Sequence, residues 1–206
     1  MTDILKIPFL DSTVSEIAAV VFALLYLLLA IKRERACWIF AGISSILYLI
    51  VMAKAQLYMQ TALQLFYLIM AIYGWSQWKN SLKQAHTDFM IQKWSLKNHC
   101  RALLVTLILT VINGKLLSTL TQVQAPYLDA FITWGSILTT WMVAHRILEN
   151  WLHWFIIDLS AAYLYYTQSL TFTALLFVLY TLLVIYGYID WKKHSKSLSD
   201  PTWAYE

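Results

Sequence analysis

Charge is what this chain has least of. Only 13% of its 206 residues are Asp, Glu, Lys or Arg, which is thin cover for a water-soluble domain of that size. Cysteine is nearly absent too. Cys37 and Cys100 both fall at the cytoplasmic ends of predicted spans, where thiols stay reduced, so no disulfide framework is expected. No P-loop is present, which excludes primary active transport by this chain alone. No HExxH or GxSxG motif occurs, and His153 stands roughly 140° round a helix from Asp158, so an intramembrane enzyme lacks its machinery. No lysine lies between Thr171 and Trp191, where a seven-helix retinal receptor would need a Schiff-base partner. The N-terminus, with Asp3 and Asp11 around a single Lys6, has neither a basic n-region nor a small-residue cleavage site, so no cleavable signal is expected. No cofactor, metal or nucleic-acid partner is expected.

What the chain does have is apolar length. Hydrophobic residues make up 60% and mean hydropathy is +0.61, in runs long enough to cross a bilayer as helices and too continuous for the alternating strands of a barrel. Its partner is therefore the lipid bilayer, and its net charge of +4 reports orientation. Spans are predicted at 14–31, 37–53, 57–77, 101–120, 127–144, 151–167 and 171–191. Asn113, Gly114 and Lys115 interrupt the fourth, so its existence is tested by charge. With seven spans, 12 Lys and Arg lie on one side (Lys32, Arg33, Arg35, Lys79, Lys83, Lys93, Lys97, Arg101, Arg146, Lys192, Lys193, Lys196) and 3 on the other (Lys6, Lys54, Lys115). Deleting the fourth degrades the split to 9 against 6. The positive-inside rule thus predicts seven spans, N-terminus outside and C-terminus cytoplasmic.

The chain also contains itself twice. Sliding residues 25–79 by 113 positions places Leu25 on Leu138, Arg33 on Arg146, Trp38 on Trp151, Leu57 on Leu170 and Tyr67 on Tyr180. Both copies close on the same phrase: Ile72-Tyr73-Gly74 with Trp78-Lys79, and Ile185-Tyr186-Gly187 with Trp191-Lys192. Two three-helix units joined directly would be inverted, and one extra crossing restores their orientation. The predicted fold is therefore all-α, 3+1+3, with parallel repeats: 14–79, a cytoplasmic linker at 80–100 holding Trp94, a linker helix at 101–120, and 127–192. A duplicated membrane unit points to a transporter.

The chemistry belongs where polarity is expensive. Asp158 is read as the only ionisable residue deep inside a predicted span. Trp151, Trp154 and Asp158 follow at i, i+3 and i+7, with Tyr165 continuing the stripe, so indoles and a carboxylate share one face. One reading is an interfacial Trp belt with a hydrogen-bonded acid. The other is a cage for an aromatic cation, since π faces attract positive charge and a buried carboxylate wants a cationic neighbour. On the third span Gln60, Gln64 and Tyr67 make a second polar face, suited either to a heterocycle with mixed hydrogen-bonding edges or to interhelical bonding. Trp38 and Ser45 occupy the repeat positions of Trp151 and Asp158, so the pocket should lean on the second half. Gly74 and Gly187 are expected to serve helix packing or a hinge. Thr13-Val14-Ser15-Glu16 fits a capping box, which makes Glu16 a helix-start residue.

At these residues the chain resembles the Pnu-type bacterial vitamin transporters, relatives of the SWEET sugar facilitators. The resemblance rests on Glu149-Asn150-Trp151-Leu152-His153-Trp154 followed by Asp158, and on Ile72-Tyr73-Gly74-Trp75-Ser76-Gln77-Trp78. It implies a seven-helix 3+1+3 fold, commonly trimeric, in the bacterial cytoplasmic membrane, carrying a vitamin precursor inward by facilitated diffusion with phosphorylation trapping it inside. Members for nicotinamide riboside typically carry Asn where this chain has Asp158, so the resemblance leans toward thiamine, with nicotinamide riboside as the alternative. Proton coupling through Asp158 is the rival to passive facilitation.

Overall fold

The computed structural model describes residues 12–54, 58–83, 90–120 and 125–197. Its regular elements there are seven helices: α1 (Ser12–Ile31), α2 (Cys37–Lys54), α3 (Tyr58–Lys83), α4 (Leu96–Leu120), α5 (Pro126–Ala144), α6 (Asn150–Thr167) and α7 (Thr171–Ser197). The apolar runs set these helices, and turn chemistry stops them. α1 ends in a Schellman turn in which Arg33 N–H donates to Ala30 O and Glu34 N–H to Leu29 O. α5 ends identically, with Arg146 to Val143 and Ile147 to Met142. The residue at the left-handed position is Arg in both, at φ 62° and 58°, where Gly is the usual choice and a side chain costs roughly 1–2 kcal/mol.

Each of six helices touches two neighbours, in the cyclic order α1, α2, α3, α5, α6, α7 and back to α1. They form a ring, and α4 packs on its outside against α5 alone. α1 and α7 meet at both their starts and their ends, so they run the same way, as do α3 and α5. The outward faces carry exposed Ile, Leu and Val, among them Ile69, Ile72, Leu104 and Leu182, as lipid-facing helices require. Three helices, α2, α4 and Thr171–Ser195 of α7, are long and apolar enough to cross a membrane by length and hydropathy, with Ser15–Ile31 of α1 slightly shorter. Polar residues dilute the others because those helices turn them inward: Gln60 and Gln64 on α3, Asp129, Thr133, Ser136, Thr139 and Thr140 on α5, and Asp158 on α6 are all buried.

The structure adds to three sequence expectations here. Glu16 also works across helices: its Oε1 accepts from Thr173 N–H at 3.0 Å and Thr173 Oγ1 at 2.6 Å, so it satisfies donors in the first turn of α7. The Thr13 side chain of that expected box lies outside the described residues. Asp129, in the first turn of α5, is a second buried carboxylate, 0% exposed, placed at a helix start whereas Asp158 is midway along its helix. Finally, the fourth helix starts at Leu96, five residues early, and the segment before it is docked. Gln92 N–H donates to Arg146 O and Leu148 N–H to Gln92 O, Trp94 N–H donates to Glu149 Oε2, and the Trp94 ring lies 5.8 Å from Trp141. Residues 84–89 of the expected linker lie outside the described part.

Candidate functional site

The ring encloses a cavity of about 120 Å³. Sixteen of its lining residues form eight pairs spaced 113 apart: Leu27 with Thr140, Ala30 with Val143, Trp38 with Trp151, Ala41 with Trp154, Ser45 with Asp158, Met52 with Tyr165, Gln64 with Phe177, and Tyr67 with Tyr180. The cavity is thus built from corresponding positions of α1 and α5, α2 and α6, α3 and α7. The members of a pair differ in several cases. One half offers Ala41, Ser45 and Met52 where the other offers Trp154, Asp158 and Tyr165.

Glycines seat the two indoles that recur. A Cβ on Gly187 would come within 2.7 Å of Trp151 Cζ3, and one on Gly74 would collide with the Trp38 ring, so each glycine is a bare patch of backbone on which an indole lies. Each indole is then braced by another edge-on: Trp78 against Trp38 at 5.5 Å and 85°, Trp191 against Trp151 at 5.4 Å and 84°. The braces are themselves tied across the ring, Trp78 Nε1 donating to Ala144 O at 3.3 Å and Trp191 Nε1 to Ile31 O at 3.2 Å. These glycines fix the site's walls through packing.

Of the residues expected at the site, Trp38, Gln64, Tyr67, Trp151, Trp154 and Asp158 line the cavity together, with Tyr165 from the same α6 stripe. Gln60 is absent from the lining. Its Nε2 donates to Asp129 Oδ1 at 2.6 Å and to Thr133 Oγ1 at 3.3 Å, while its Oε1 accepts from Tyr165 Oη at 3.0 Å. Asp129 as acceptor fixes which way the amide faces, leaving its oxygen for the tyrosine. Gln60 therefore orients a wall residue instead of facing the cavity. Sequence reasoning missed Tyr26, Tyr48, Phe177 and Tyr180 in the lining. Tyr180 was legible from its spacing of 113 from Tyr67, whereas Tyr26 and Tyr48 carry no pattern that separates them from other membrane tyrosines.

Asp158 is 1% exposed and its Oδ1 has no hydrogen-bond partner among the described residues. Among the described residues, no Lys, Arg or His lines the cavity. Its surroundings are aromatic: three Trp, four Tyr besides Tyr165, and Phe177. A desolvated carboxylate without a protein cation is costly unless a cationic guest or a proton neutralises it, and ring faces add attraction for positive charge. Trp38 Nε1 and Trp151 Nε1 also have no partner among the described residues, so the walls hold donors in reserve. Among the described residues, no group of three or more His, Cys, Asp or Glu is placed to hold a metal.

Comparison with known proteins agrees with this architecture. The family model described as nicotinamide mononucleotide transporter matches residues 13–193. The chain is similar to the riboflavin/roseoflavin transporter RibM of Streptomyces davaonensis, 26% identical over 133 residues, a match spanning 64% of this chain and 62% of that protein. It is also similar to the nicotinamide riboside transporter PnuC of Escherichia coli, 26% identical over 200 residues, spanning 85% and 84%. Among solved structures it superposes on the vitamin B3 transporter PnuC with a TM-score of 0.77 at 22% identity, covering 91% of this chain and 83% of that one, which shows the shared fold.

Proposed function

We propose that this chain, which belongs to the nicotinamide mononucleotide transporter family, carries a cationic aromatic vitamin across the bacterial cytoplasmic membrane. The observation that supports it is the Asp158 carboxylate, buried in an aromatic cavity where, among the described residues, Oδ1 has no hydrogen-bond partner and no basic residue lines the wall. Thiamine is the first substrate reading: its thiazolium is a permanent cation for Asp158 and the indoles, and its aminopyrimidine presents donors and acceptors to Gln64 and Tyr67. Nicotinamide riboside is the second, favoured by the relative that carries it and by its own cationic ring. Riboflavin, named for the other relative, has no positive charge to repay the cost of Asp158.

Transport runs by facilitated diffusion through rocking of two parallel three-helix units, with α4 reversing direction between them and trapping inside the cell preventing return. The parallel course of α1 and α7, and the eight lining pairs at one spacing, support that reading. The N-terminus lies outside and the C-terminus in the cytoplasm. The homotrimer follows from the family resemblance. Proton coupling remains the second mechanism, for a lone membrane carboxylate can carry a proton. Uptake of labelled thiamine and nicotinamide riboside into proteoliposomes, with and without an imposed proton gradient, tests substrate and mechanism together. Equilibration without concentration, unaffected by the gradient, is the expected result. Gradient-dependent accumulation would overturn passive facilitation.

A further inference from the structure

The two halves meet along two seams, α1 with α7 and α3 with α5, and each seam is tied at both ends. Where α1 and α5 begin, the ties are carboxylates: Glu16 accepts from Thr173, and Asp129 from Gln60. Where they end, the ties are arginines and indoles. Arg33 pairs with Asp190 and Arg146 donates to Gln77 O, while Trp191 and Trp78 donate to Ile31 O and Ala144 O. Each of these ties has its counterpart at the same spacing of 113: Glu16 with Asp129, Thr173 with Gln60, Arg33 with Arg146, Asp190 with Gln77, Trp191 with Trp78 and Ile31 with Ala144; the α3–α5 seam adds bonds of its own, Gln60 to Thr133 and Tyr73 to His145. Between the ties the same seams line the cavity, with Tyr26 and Tyr180 on one and Tyr67 and Thr140 on the other.

We propose that these ties are two gates: the Glu16 and Asp129 pair closes one face of the ring, the Arg33 and Arg146 pair closes the other, and one opens while the other holds. The inference rests on the transport reading above. A solute enters only where the halves part, and parting at a face breaks that face's ties on both seams while leaving the far ties as the pivot. The chemistry of the faces differs. The carboxylate ties are almost fully buried, with Glu16 at 8% and Asp129, Gln60 and Thr173 at 1% or less. The Arg33–Asp190 pair is partly wet, at 21% and 33% exposure. Water can replace the Arg33–Asp190 pair more easily than the carboxylate ties, whereas the indole ties of the same face are buried, Trp191 at 0% and Trp78 at 2%.

The test uses one reporter thiol in the cavity, Ser45→Cys, in full-length protein carrying Cys37→Ser and Cys100→Ser, labelled by an impermeant thiosulfonate from each face of reconstituted vesicles. Removing the carboxylate ties with Glu16→Ala and Asp129→Ala should speed labelling from the face where α1 begins, by about tenfold or more for two lost buried bonds, and slow it from the other. Arg33→Ala with Arg146→Ala should do the reverse, and the swap Arg33→Asp with Asp190→Arg should return the rates toward the parent. Thr173→Val and Asp190→Asn repeat the two arms if the alanine pairs do not fold. Labelling that stays unchanged, or changes equally from both faces, overturns the gates. No vitamin is needed, so an error in the substrate reading leaves this outcome intact and shows itself only in the uptake assay.

Discussion

Replacing Gly187 with alanine adds one methyl where the structure has no room. The new carbon would stand 2.7 Å from Trp151 Cζ3 and 2.8 Å from Cε3 and Cη2, well inside van der Waals contact. The far side of that indole is not free to yield, because Trp151 is 1% exposed and braced edge-on by Trp191, which is tied to Ile31 O. The ring must tilt into the cavity or push α7 away. Overpacking of this kind costs about 1–3 kcal/mol, and if it falls on the binding-competent state, affinity drops roughly 5-fold to 150-fold. A pure hinge would behave otherwise, sparing binding and slowing transport. Titration of purified protein by intrinsic tryptophan fluorescence separates the two, with Gly42→Ala as the control, since a Cβ there meets only Ala71 at 3.7 Å. Trp151→Phe in the Gly187→Ala background should recover part of the loss by shrinking the ring. Unchanged affinity in Gly187→Ala would refute the packing role and return the glycine to the hinge reading.

Gln60→Ala should act chiefly on stability: it strands Asp129 Oδ1 and the Tyr165 hydroxyl, each worth about 1–3 kcal/mol when buried, so thermal melting in detergent should fall clearly while substrate affinity falls only as far as Tyr165 drifts. An affinity loss with an unchanged melting temperature would place Gln60 at the substrate after all. For topology, a single thiol at Val123→Cys in the background lacking native cysteines should be labelled from outside intact cells and one at Asp88→Cys should be protected; labelling of both, or the reverse pattern, removes the parallel-repeat reading. Trp154→Ala should weaken thiamine binding by about 2 kcal/mol through lost stacking and cation–π attraction, roughly 30-fold in the same titration, and an unaltered titration would put the guest elsewhere.

How far the sequence could be read depended on what made each pattern. Helix positions were legible because a bilayer leaves a continuous apolar run only the helix to satisfy its backbone, and observed boundaries fall within two residues of the predicted ones except at three polar ends: α4 starts at Leu96, five residues early, and α3 and α7 run on to Lys83 and Ser197, six residues past their predicted ends, where polar turns give no hydropathy signal. The α6 stripe was legible because i, i+3 and i+7 face one way on any helix. Gln60 and Gln64 share a face by the same rule, yet only Gln64 lines the cavity, since one turn toward the helix start α3 has already met Asp129 of α5. That depends on where the halves touch, which periodicity within one helix does not encode. Glu16 shows the same gap: a capping motif describes its own helix, and the donor that claimed it lies 157 residues away. The 113-residue spacing held the answer to both, because Glu16 and Asp129 are counterparts, as are Thr173 and Gln60.

The most direct test of the cation site is thiamine affinity in Asp158→Asn against the parent, measured on purified protein with melting temperature followed in parallel. The substitution removes a costly buried charge and keeps the side chain's size, so the protein should stay folded. Losing a partly desolvated ion pair costs about 2–3 kcal/mol, so thiamine affinity should fall roughly 30-fold to 150-fold, while nicotinamide riboside, if it is the true guest, should bind the variant as well as the parent or better. Undiminished binding of both cations in Asp158→Asn and in Trp154→Ala would contradict the account and leave Asp158 a structural acid.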